Sequence, residues 1–226
     1  MSVQQTIENS LEILLKQKIK ILGAGRTDTG VHAKQMYAHF DFEEPLDLEN
    51  LIYKLNAFLN KDIGIANVHK VRQDAHARFD AISREYEYYI TQIKDVYNHD
   101  KKYFFSKKLD FDKIDKAIDI LKNTKNFKSF CRTKSDVTNY NCEIFDFYYE
   151  IKESEIIFRI RANRFLRNMV RSLIGTILDI SLKKISIKNL LKIIEKSNRI
   201  YAGPSVPAHA LFLSNVEYPK NVFLDE

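Results

Sequence analysis

The sequence predicts an α+β chain made of two sheet-plus-helix halves. Stretches with apolar residues at helical spacing alternate with stretches of period two. The connections between the strand-like stretches are mostly long or helical. The order of elements is similar in the two halves, yet no sequence repeat is visible.

The elements follow in order. Val3, Ile7, Leu11, Leu14 and Leu15 share one helical face. "KIKIL" (18–22) reads as a short strand entering a Gly-rich loop, and "KQMYAHFDF" (34–42) alternates as a half-buried strand. Asp47 is placed to cap a helix carrying Leu48, Leu51, Ile52, Leu55 and Leu59. Strands are expected near 63–71 and 84–92. "IKDVYNHDKKYFF" (93–105) breaks the periodicity and is the candidate linker, which sets the halves at residues 1–95 and 96–226. Phe111, Ile114, Ile118 and Leu121 then mark a helix. "EIFDFYYEI" and "EIIFRIRA" read as a strand pair joined by the turn Lys152-Glu153-Ser154. A long helix is expected over about 163–180, a shorter one over 186–197, and a last strand near 210–217.

The bulk numbers narrow the function classes. With 226 residues and 45% hydrophobic content, the chain buries a core without staples. A net charge of +6 agrees with an anionic partner such as nucleic acid and equally with Lys-rich solvated helices. The two cysteines, Cys131 and Cys142, form no CxxC and have no His at ligand spacing, so no metal site is expected, and lone thiols fit a reducing cytoplasm. The N-terminus lacks signal-peptide character, and the apolar stretch 173–182 is too short to span a membrane.

The chemistry concentrates in "GAGRTDTGVHA" (23–33). Its glycines do not make a dinucleotide fingerprint: four residues, not two, separate Gly25 from Gly30, and a strand-like stretch follows. The tripeptide Asp28-Thr29-Gly30 occurs in aspartic proteases, which pair two such carboxylates. Here there is one, and Arg26 two residues away favours a charged Asp28 over a shared proton.

The longer run "GRTDTGVHA" (25–33) resembles the signature loop of the tRNA pseudouridine synthase A family. Four other stretches resemble further segments of the same family: "SVQQTIENSLE" (2–12) its opening helix, "FDAISREYEYYI" (79–90) its Arg-x-Tyr-x-Tyr strand, "NRFLRNMVRSLIGTIL" (163–178) its Met-Val-Arg helix and "AGPSVPAHALFL" (202–213) the segment before its last strand. Five ordered matches span nearly the whole chain. The family places a strand and a Gly-Trp-Gln loop ahead of the first helix; this sequence has no Trp and opens at that helix, so a gap or open edge in the first sheet is expected.

The resemblance implies two ferredoxin-like halves, with mainly antiparallel sheets joined around a central cleft and helices on the outer faces. It implies a homodimer that isomerises uridine to pseudouridine in the anticodon stem-loop of tRNA, at positions 38, 39 and 40, with no cofactor or metal. Asp28 is then the catalytic carboxylate, acting either by covalent attack or by removing a ribose proton. Arg171 is expected to pair with it across the cleft. Tyr86 corresponds to the active-site tyrosine that stacks on the flipped uracil. Arg26 is expected to occupy the vacated space and grip phosphate. At helical spacing Arg164, Arg167 and Arg171 share a face, which makes Arg164 and Arg167 candidates for the RNA backbone. Phe165 is a candidate for packing under the site, and Lys128 and Arg132 for RNA contacts. Tyr88 and Tyr89 read as structural aromatics, and His32 as a structural hydrogen-bonding group. The rival class is a non-catalytic RNA-binding module on the same fold.

Overall fold

The computed structural model describes residues 1–133, 135 and 137–224. It is a mixed α+β structure with five α-helices and a mainly antiparallel principal sheet among the described residues. The chain divides into two compact units. Among the described residues, one comprises 1–26, 36–81 and 218–224, the other 27–35 and those of 82–217.

The first unit opens with helix α1 (Val3–Leu15), whose N-cap Ser2 accepts from the Gln5 N–H. Strand β1 (Leu22–Gly23) follows. In the second unit β2 (His32–Ala33) comes next in the chain, and the first unit resumes with β3 (Ala38–His39), antiparallel to β1. Helix α2 (Leu48–Phe58) is capped by Asp47, which accepts from the Asn50 N–H. Leu11, Ile19, Ile21, Leu51, Leu55 and Leu59 form this unit's core.

Two expected strands are not made here. Residues 34–42 give only the two-residue β3 rather than one long strand. Residues 63–71 make only an isolated bridge, Val71 to Phe223. The backbone of Ile65 is satisfied by a side chain instead of a ladder: Asn56 donates to its C=O and accepts from its N–H.

In the second unit, strand β4 (Ser83–Thr91) is the hub. Strand β5 (Tyr103–Phe104) lies parallel to its end, so the expected linker folds back onto the sheet. Asp95 closes that loop by accepting from the N–H groups of Tyr97 and Asn98 and from Lys102. Helix α3 (Phe111–Lys122) precedes the hairpin of β6 (Ile144–Lys152) and β7 (Glu155–Ala162), whose turn has Glu153 at φ 55°. Helix α4 (Met169–Ser181), helix α5 (Ile187–Lys196) and strand β8 (Leu211–Glu217) complete the unit. The sheet order is β2-β8-β4-β7-β6, with β2–β8 and β4–β5 as its parallel pairs.

Tyr88, Ile90, Phe147, Phe158 and Ile160 of this sheet pack with Ile114, Leu121, Met169, Leu173, Ile177 and Leu190 of the helices in one core. At Gly175 of α4 the segment after α5 comes so close that a Cβ would stand 1.7 Å from the Pro204 carbonyl oxygen. No helix is long and apolar enough to cross a membrane among the described residues.

The long helix expected from residue 163 begins only at Met169. Asn168 is left-handed, at φ 64°, which ends any helical path running in from upstream. Asn163 is tied instead to the start of the β6 hairpin, its N–H donating to Glu143 O and its side chain accepting from the Glu143 N–H. Arg164 and Arg167 therefore precede the helix, and only Arg171 rides on it.

Candidate active site

The site is built around a turn. The Val31 N–H donates to Asp28 O at 3.1 Å, closing a β-turn whose third residue, Gly30, has φ +85°. An L side chain rarely adopts that conformation, and a Cβ there would also press on the Ala208 methyl at 3.4 Å. The turn leads into β2, whose parallel pairing sets His32 beside Phe212 and Ala33 beside Leu213. His32 stacks on the Phe212 ring, with centroids 4.7 Å apart; this ring contact is what its structural role consists of here.

The turn presents the Asp28 side chain to the N-terminal part of α4. Arg171 Nη1 donates to Asp28 Oδ2 at 2.8 Å. Arg171 Nε donates to Val206 O at 2.8 Å, and Val206 N–H returns a bond to Arg171 O at 3.2 Å. Val206 thus braces both the backbone of Arg171 and one edge of its guanidinium, whose Nη1 meets the carboxylate. Both side chains are mostly buried, Asp28 15% and Arg171 20% exposed. On the other oxygen, Oδ1, Arg167 Nε stands 3.9 Å away on a side chain 57% exposed. Arg167 reaches Asp28 from the segment ahead of the helix, not from the helical face expected for it.

Tyr86 joins the same neighbourhood from β4. Its ring meets Phe165 edge to face, with centroids 5.1 Å apart. A register shift between Glu85 and Tyr86 leaves Ser214 of β8 unpaired, and the Ser214 hydroxyl donates to Glu85. Such a bulge re-aims the side chain beside it. Burial pushes the Tyr86 phenol up to about 12, with the negative charge of Asp28 adding to the rise and Arg84 opposing it. At neutral pH Tyr86 is a protonated donor. Phe165, expected beneath the site, is the residue supporting that ring.

The remaining candidates lie further out. Arg26 is exposed at the last position of the first unit's opening stretch. Arg164 is half-buried, and its charge opposes the rise that burial gives the Cys142 thiol, which reaches about 11. Lys128 lies over the Tyr140 ring, and the Arg132 N–H donates to Arg167 O. Among the described residues, no group of three or more His, Cys, Asp or Glu side chains could hold a metal ion.

Comparison with known proteins gives the family. A family model described as tRNA pseudouridine synthase matches residues 117–219. The tRNA pseudouridine synthase A of Parabacteroides distasonis is 46% identical over 224 residues, 99% of this chain and 89% of that protein. That of Bacteroides fragilis is 44% identical, covering 98% and 89%. The corresponding protein of Borrelia duttonii is 35% identical, covering 96% and 89%. The chain belongs to the tRNA pseudouridine synthase A family.

Two features escaped the sequence reading. Arg84, next but one to Tyr86, donates to Asn163 O at 3.0 Å and so ties β4 to the segment ahead of α4. Tyr89 is not a plain strand aromatic: its hydroxyl bonds Glu87 and Lys34. The available signal was Glu87 itself, a charge set between the aromatic residues Tyr86 and Tyr88.

Proposed function

We propose that this tRNA pseudouridine synthase, an isomerase, acts on uridines of the anticodon stem-loop at positions 38, 39 and 40, with Asp28 as its catalytic carboxylate. The reaction breaks the bond from uracil N1 to ribose C1′ and makes a bond from C5 to C1′. The C5 hydrogen leaves as a proton and N1 ends protonated, so nothing is oxidised and no cofactor is required. The observation that carries the assignment is the 2.8 Å bond from Arg171 to Asp28 Oδ2, on an arginine itself braced by Val206.

In this reading Arg171 orients the carboxylate and leaves Oδ1 toward the substrate. Tyr86 stacks on the flipped uracil and, as a protonated phenol, donates a hydrogen bond or proton to it. Arg26 fills the space the base vacates, and Arg164 and Arg167 hold the RNA backbone. The family resemblance supports reading residues 1–95 and 96–226 as two ferredoxin-like halves around a central cleft. The enzyme works as a homodimer in the cytoplasm, where the free thiols of Cys131 and Cys142 stay reduced.

The test is tritium release from a tRNA transcript labelled at uracil C5. Release by the wild-type chain that disappears in Asp28→Asn supports the assignment. Tight tRNA binding without release would favour the non-catalytic RNA-binding module.

A further inference from the structure

Away from the Asp28 pair, the most heavily tied side chain on β4 is Glu87, one residue from Tyr86 and on the opposite face of the strand. Its side chain is 5% exposed. Oε2 accepts from Lys34 Nζ and, at 2.5 Å, from the Tyr89 hydroxyl, while Oε1 accepts from Arg159 Nη1. Lys34 Nζ also donates to the Tyr89 hydroxyl at 2.7 Å and lies 5.2 Å and 5.8 Å from the Tyr89 and Phe212 ring centroids.

The two cations on Glu87 differ in what they fasten. Arg159 belongs to β7, which is already laddered to β4 from Arg84 to Thr91. Lys34 belongs to the stretch 27–35 that carries Asp28. Backbone bonds hold this stretch to the sheet near its end, through the two-residue β2 and the N–H groups of Lys34 and Gln35 on Leu213 O, at 2.8 Å and 3.5 Å. Beyond these, Gln35 accepts from the Val216 N–H. The Lys34 ammonium thus makes a side-chain link from the Asp28 stretch to β4 itself.

The geometry points to Lys34 as a positioning residue for the isomerisation: through Glu87 it fastens the Asp28 turn to the strand that carries Tyr86, fixing carboxylate against phenol. This rests on the isomerase reading above. Removing Lys34 leaves Glu87 paired with Arg159, so the buried carboxylate keeps a partner and the fold survives.

The test is single-turnover tritium release by the full chain, with tRNA binding followed across salt concentrations. Lys34→Met is expected to slow the reacting step about ten- to a hundred-fold, the scale of a small misplacement of reacting groups. Its tRNA affinity should stay within about three-fold, with the salt slope unchanged, and Lys34→Arg should recover most of the rate. Arg159→Met strips the other cation from the same carboxylate; it should lower the melting temperature but keep the rate within about three-fold, because the reacting groups keep their places. Equal rate losses in the two Met variants, or an unfolded Lys34→Met, would reduce the cluster to fold stability and overturn the proposal. Weakened binding with a flatter salt slope in Lys34→Met would overturn it too, marking a phosphate contact. A wild-type chain that releases no tritium sinks the isomerase reading itself, before any variant is compared.

Discussion

Glu8 and Asp28 are both mostly buried carboxylates, and each meets a cation at 2.8 Å, yet they are set up for different work. Glu8, on α1, accepts from Lys20 Nζ and from Gln4 Nε2, and its Oε1 also takes the Ile21 N–H at 3.2 Å. Both oxygens are engaged, and the side chain pins β1's approach to α1. The bond from Lys20, then those from Gln4 and Ile21, outweigh burial and hold the carboxyl down at about 2. Asp28 has one oxygen fixed by Arg171, while Arg167 stands 3.9 Å from the other. Glu8 fills its acceptor sites, whereas in the proposed reading Asp28 keeps an oxygen for substrate.

The sharpest break in this comparison is Asp28→Asn. It should lower single-turnover isomerisation by at least about a thousand-fold, on the order of 4 kcal/mol of barrier, while tRNA affinity measured by filter binding stays within a few-fold. Loss of binding in step with loss of turnover would put Asp28 in the same class as Glu8.

The next largest effect is expected from Gly175→Ala. The new methyl would overlap the Pro204 carbonyl, and overpacking of that kind costs about 3 kcal/mol. Thermal melting should show the destabilisation. The Val206 brace on Arg171 is displaced with the segment, so residual activity should fall as well. A variant as stable as wild type would show that the segment shifts freely.

Glu8→Gln sharpens the comparison from the structural side. Because the folded-state carboxyl lies below its ordinary value, its contribution is present at neutral pH and is lost as pH falls from about 4.5 toward about 2. Wild type should lose stability through that window, and Glu8→Gln should show a shallower acid limb together with unchanged turnover at neutral pH. An identical acid limb in the two proteins would remove Glu8 from the pH response.

The smallest effect belongs to Arg164→Ala, which should weaken tRNA binding several-fold and reduce the salt slope by about 1. An unchanged slope would take Arg164 off the RNA face and leave Arg167 and Arg26 as the outer cations.

The sequence was most legible where one periodicity ruled a whole element. The strand of residues 84–92, the hairpin around Glu153, the Asp47 cap and the helix after Ser186 all appear close to their expected bounds. It failed where a single side chain or dihedral decided the matter. Asn56 answers the backbone of Ile65, so an apolar, alternating segment needs no neighbouring strand. Asn168 turns left-handed and strips the first turns from a segment that reads as helix throughout. Of the site, the Asp28–Arg171 contact followed from motif resemblance rather than from any local pattern. The Lys34–Glu87–Arg159 cluster joins three distant chain segments, which no window of sequence displays.

The two faces of β4 carry a consequence for how this chain tolerates change. Tyr86 and Glu87 are adjacent, and the strand's alternation sends one to the Asp28 neighbourhood and the other to Lys34 and Arg159. A substitution on either side leaves the alternation itself in place. Between Ser83 and Tyr86, however, the insertion or loss of one residue would exchange the sides, burying a phenol among cations and turning a carboxylate toward Phe165. Lineages of this protein should therefore vary in the composition of β4 while keeping its length, with insertions collected in the loops that follow it.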